Sequence, residues 1–84
     1  MTIDFPGPLS TDVLGINAAG RIVGRYEDAS RTFHGFLRDK GAFTTIDPPG
    51  SIFTQAIGIN SRGEIVGDYQ DSSGTFHGFL AVPE

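Results

Sequence analysis

Laid against itself at an offset of 43, this chain of 84 residues aligns without a gap from Thr2/Thr45 to Gly41/Glu84, with 22 identities in 40 positions. Thr2-Ile3-Asp4 returns as Thr45-Ile46-Asp47, Gly15-Ile16-Asn17 as Gly58-Ile59-Asn60, and Ile22-Val23-Gly24 as Ile65-Val66-Gly67. Thr32 to Leu37 returns as Thr75 to Leu80. A sequence written twice has to fold as two like units that bury surface on each other. Periods in the forties belong to propeller blades and to helical HEAT or armadillo arrays, so the local pattern must choose between them.

The local pattern favours strands. Helical arrays need long segments at 3.6 spacing, whereas Gly or Pro recurs here within nearly every eight residues. Four runs in the first repeat, at residues 13–17, 21–27, 32–37 and 42–47, are rich in Ile, Val, Phe, Thr and Tyr. Asn17-Ala-Ala-Gly20, Asn60-Ser-Arg-Gly63, Arg38-Asp-Lys-Gly41, Glu27-Asp-Ala-Ser30 and Asp71-Ser-Ser-Gly74 supply turn chemistry between runs. Connections this short make consecutive strands antiparallel neighbours, so each repeat reads as a four-stranded meander. Pro48-Pro49-Gly50 cannot continue a central strand and marks the passage from one meander to the next. Ile22 and Tyr26 point to one face and Val23 to the other, so both faces carry apolar bulk, as a blade between two neighbours requires. Gly15, Gly24 and Gly35 inside strand runs predict a crowded approach between blades, with a bulge as the alternative.

The expected fold is all-β, with two four-stranded antiparallel propeller blades in a single repeat domain over residues 1–84. Residues 1–7 match a fourth strand, 8–50 form the first blade with its outer strand and crossover, and 51–84 supply three strands of the second. Two blades are fewer than the roughly four to eight that close a ring. The chain is therefore expected to form a cyclic homo-oligomer through head-to-tail contacts, with residues 1–7 completing a neighbour's split blade. A trimer is the favoured closure; a dimer and a tetramer are the others.

Composition removes several partners. Net charge is −4, and the six Lys and Arg residues are scattered, so nucleic acid is not an expected ligand. No apolar run approaches the roughly 18 residues of a membrane span, and Met1 is followed by Thr-Ile-Asp-Phe-Pro, not a basic then apolar leader. With no Cys there is no disulfide, thiolate zinc site or Cys nucleophile. Leu, Ile, Val and Phe make up 23 of 84 residues, above the range of disordered chains.

One stretch carries a family likeness. Phe-Thr-Thr-Ile-Asp-x-Pro-Gly, followed by Ala-x-Gly-Ile-Asn-x-x-Gly-x-Ile-Val-Gly-x-Tyr-x-Asp-x-x-Gly-x-x-His-Gly-Phe-Leu over residues 43–80, resembles the HAF repeat of bacterial extracellular proteins. The resemblance spans nearly the whole chain and implies an extracellular or cell-surface repeat module with nothing catalytic. Phe5 replaces the first Pro, and Arg31 stands where the pattern and Gly74 have Gly, which puts the first copy's third turn in question. Small sugar-binding lectins that trimerise from two repeats are similar in architecture only.

The candidate residues are repeat pairs. His34 and His77 each lie in Phe-His-Gly-Phe, and equivalent places on successive blades would point them in parallel, not toward one metal ion. They are expected to be structural hydrogen-bond partners of Asp28/Asp71, Tyr26/Tyr69 or Thr32/Thr75. Asp71-Ser-Ser-Gly-Thr-Phe looks like the structural Asp-box turn of sialidase propellers; one carboxylate is too few for calcium, which usually takes six to eight oxygens. Asn17, Asn60, Asp28 and Asp71 are thus expected to hold turns. Thr11, Asp12, Thr54 and Gln55, near the start of each repeat's innermost strand, offer hydroxyl, carboxylate and amide groups suited to a sugar or a cation, with Tyr26 and Tyr69 as stacking surfaces if exposed. No Gly-x-Ser-x-Gly turn or phosphate-cradling loop occurs, so neither an enzyme nor a cofactor is expected. The expected role is a self-assembling structural or binding scaffold. The alternatives are a carbohydrate binder with inter-blade pockets, a glycan-acting enzyme on the same ring, and an engineered or reconstructed scaffold without a ligand.

Overall fold

β-Branched and aromatic runs punctuated by Asn, Asp, Ser and Gly give seven strands in the computed structural model of the chain, which describes residues 2–7 and 10–83. They are β1 (Ser10–Ile16), β2 (Ile22–Glu27), β3 (Phe33–Asp39), β4 (Ala42–Ile46), β5 (Ser51–Ile59), β6 (Ile65–Asp71) and β7 (Phe76–Ala81). The chain is all-β, with no helix among the described residues. β1 to β4 form one antiparallel meander and β5 to β7 a second. A single parallel pairing, Phe33 with Phe53, joins them into one open mixed sheet. Within one chain, residues 2–5 belong to no strand, and the boundary expected at Pro8 lies outside the described residues.

Each turn follows from its side chains. Asn17 Oδ1 accepts from the backbone N–H groups of Ala19 and Arg21, and Asn60 Oδ1 does the same for Arg62 and Glu64. Arg31 adopts φ 69° where its counterpart Gly74 has φ 88°, and both turns close with the same backbone bonds. The departure from glycine therefore leaves the turn intact, and Arg31 bears the steric cost of the left-handed region.

Alternation divides each meander into two faces. Val23, Gly35, Leu37 and Ile46 share the inner face of the first; Val13, Gly24, Tyr26 and Phe36 share its outer face. In the second meander, Ala56, Ile65, Phe79 and Ala81 lie on the inner face and Val66, Phe76, Gly78 and Leu80 on the outer. The core forms where the inner faces meet: Val23, Ala56 and Ile65 are buried, with Leu37, Ile46, Ile59, Phe79 and Ala81 packed around them. Phe5 lies over the first meander's outer face, stacked on Tyr26 at 3.9 Å and close to Phe36 and Phe43.

Candidate functional site

The densest polar cluster grows from one turn. Asp28 Oδ1 accepts from the Ser30 N–H at 2.9 Å, the Ser30 hydroxyl at 2.6 Å and the Thr32 N–H at 3.1 Å, fixing the carboxylate against the backbone. Its other oxygen meets His34 Nε2 at 2.7 Å, and Asp47, just beyond β4, meets His34 Nδ1 at 2.6 Å. Carboxylates only accept, so an imidazole held by two of them donates from both nitrogens and carries positive charge. Burial lowers the His34 pKa, but the bonds and charges of Asp28 and Asp47 outweigh it, and the net shift is upward. Asp28 is held well below the usual carboxylate range, chiefly by the Ser30 hydroxyl, then by His34 and the Thr32 N–H. Tyr26 stacks on His34 at 5.0 Å, and its hydroxyl pairs with Thr45 Oγ1 at 2.8 Å.

The second repeat builds the same turn. Asp71 bonds Ser73, Thr75 and, at 2.8 Å, His77 Nε2, and Ser73 foremost, then His77 and Thr75, holds its pKa down in the same way. Tyr69 lies 5.1 Å from His77. Here the network stops: among the described residues, His77 Nδ1 and the Tyr69 hydroxyl have no hydrogen-bond partner.

Of the residues read as a sugar site, Thr11, Asp12, Gln55 and Tyr26 are engaged within the chain. Asp12 accepts from Arg25 Nε at 2.9 Å; Gln55 accepts from Arg25 Nη1 and donates to Asp68. Thr11 Oγ1 accepts from the Phe5 N–H at 3.1 Å. Thr54, its repeat counterpart, is fully buried, and its hydroxyl has no partner among the described residues. The cause is in the sequence: Pro48 stands where the first repeat has Phe5, and proline has no N–H to give. Among the described residues there is no cavity or cleft.

Two roles were not read from the sequence. Asp47 and Thr45 complete the His34 cluster, which required knowing that β4 pairs with β3. Arg25 lies over the Phe33 ring at 4.7 Å and near Phe53, at the place where the meanders join. Its signal was the charge reversal between Arg25 and Asp68 at one repeat position. Comparison of the chain with protein families, characterised proteins and solved structures finds no match.

Proposed function

We propose that this chain is a non-enzymatic, self-assembling repeat module, whose copies join head to tail into a ring of propeller blades. The same proposal takes it as a HAF-type repeat, with a trimer as the favoured closure.

One observation carries the reading. Val23 is 0% exposed and its repeat counterpart Val66 is 51% exposed; Leu80 and Phe76 stand at 61% and 59%, while their counterparts Leu37 and Phe33 are half-buried. On the opposite faces the relation inverts at the β1/β5 end, with Ala56 at 0% and its counterpart Val13 at 49%, while Ile22 and Phe36 of the first meander's outer face are buried, Phe36 beside Phe5. The first meander's inner face and the second meander's outer face are thus one surface written twice, covered once and bare once. The second meander's inner face and the first meander's outer face likewise carry matching residues. The internal contact is a template for an external one, and a second copy is the occupant whose surface already fits. Apolar patches of this kind mark interaction surfaces, and contacts between unlike faces form rings when the rotation closes.

Light scattering on the purified chain tests this. The expected particle is a whole multiple of the 8.9 kDa subunit, about three subunits by preference. A folded particle of 8.9 kDa across the micromolar to millimolar range sinks the proposal.

A further inference from the structure

Asp4 occupies the repeat position of Asp47, and Thr2 that of Thr45. Asp47 and Thr45 each complete a cluster: Asp47 bonds His34 Nδ1, and Thr45 bonds the Tyr26 hydroxyl. Asp4 and Thr2 are exposed and form no hydrogen bond among the described residues. At the other end of the fold, His77 and Tyr69 hold the repeat positions of His34 and Tyr26, and among the described residues each lacks the partner that its counterpart has. The two unfilled halves are complementary residue by residue.

We infer that, in the assembly proposed above, on which this inference rests, Asp4 of one copy accepts a hydrogen bond from His77 Nδ1 of the next, with Thr2 paired to Tyr69. The backbone register supports the same seam. Gly35 pairs with Ile46 and Phe36 with Thr45 along the edge of β3, so the repeat equivalents place Ile3 beside Gly78 and Thr2 beside Phe79 along β7. Ile46 packs against the core of Val23, Ala56 and Ile65, so Ile3 becomes the equivalent apolar cover over Val66 of the neighbouring copy. A carboxylate, a hydroxyl and an isoleucine from the three residues Thr2 to Asp4 thus supply the specificity of a joint whose bulk is apolar. An imidazole that donates to a carboxylate from each nitrogen makes its strongest bonds only when both carboxylates are correctly spaced, which favours in-register closure over sliding along the β7 edge.

The test combines solution mass with the imidazole nitrogen-15 spectrum of the parent chain and the Asp4→Asn variant. Asp4 is an exposed residue with no hydrogen bond among the described residues, so D4N is expected to leave the fold of each subunit unchanged. The parent ring should show His77 Nδ1 as a protonated, carboxylate-bonded nitrogen like that of His34. In D4N that signal should move while His34 stays in place, and the subunit dissociation constant should rise on the order of 10- to 100-fold. Asp4→Glu should recover part of the affinity, and His77→Gln should add little to the D4N effect on the dissociation constant, because both changes remove the same intermolecular bond, the His77–Asp71 bond lying within one subunit. A parent chain that stays monomeric overturns the assembly itself. A ring that forms with His77 Nδ1 and affinity both indifferent to D4N leaves the assembly standing and overturns this contact.

Discussion

Thr11 and Thr54 show how a single substitution elsewhere sets the worth of a hydroxyl. Phe5 satisfies Thr11, whereas Pro48 leaves Thr54 buried and without a partner among the described residues. An unsatisfied buried hydroxyl costs about 1–3 kcal/mol, so Thr54→Val, which keeps the shape and removes the polar atom, should be neutral or raise stability by about 1 kcal/mol. Thr11→Val should lower it, having removed a made bond. Urea unfolding of both variants checks the sign; equal losses would show that Thr54 has a partner after all. His34 supplies a pH dependence. Its folded pKa lies above its ordinary value of 6.5, against the pull of burial, because of Asp28 and Asp47. Stability from this group is fully present below the unfolded pKa and is lost as pH rises through the folded one. Melting temperature should therefore fall as pH rises from about 6.5 through the raised His34 pKa, and His34→Gln should flatten that part of the curve. Asp28 and Asp71, with lowered pKa values, act in the opposite sense, and their contribution disappears only on strong acidification.

At the scale of elements, the same strand sequence has two energetic values depending on which face it presents. Val23 on β2 and Val66 on β6 stand at one repeat position, the first in the core and the second bare. Val23→Ala removes two buried methyl groups and should cost about 2 kcal/mol of subunit stability. Val66→Ala should cost less than about 0.5 kcal/mol in a dissociated subunit, measured by denaturant unfolding at high dilution. This asymmetry was not legible in the sequence, where both valines have identical neighbours. The strands and turns were legible, because Asn17, Asn60, Asp28 and Asp71 bond backbone two to four residues away and so act within the window that a sequence pattern can show. The partners of His34 were half legible. Asp28 lies six residues off and was named, but Asp47 reaches His34 only through the β3–β4 register. The glycine reading also divides: Gly15 sits at a bulge and against Ile57 O of the second meander, whereas Gly24 is crowded by Asp12 O within its own meander.

For the whole molecule, the glycines offer a measurement that separates folding from joining. A Cβ on Gly35 would lie 2.9 Å from Ile46 O on the neighbouring β4 and 3.2 Å from Thr54 Cγ2 of the second meander, so neither leaves room for it. Gly78 is its repeat counterpart, yet a Cβ there finds its nearest neighbour, Gly67 O, at 3.9 Å, ordinary contact distance. Gly35→Ala should therefore destabilise the subunit by roughly 1–3 kcal/mol through overpacking. Gly78→Ala should leave subunit melting unchanged or slightly raised, since alanine costs less backbone entropy in a strand. If Gly78 faces a neighbour's Ile3 and Thr11 as Gly35 faces Ile46 and Thr54, the same methyl group closes the joint to its partner. The Gly78→Ala particle should then sediment as a folded subunit of 8.9 kDa under conditions where the parent chain is a ring. A Gly78→Ala ring with parental mass and affinity would mean that the bare outer face meets its neighbour differently from the covered inner one. The repeat would then have duplicated the fold without duplicating the joint.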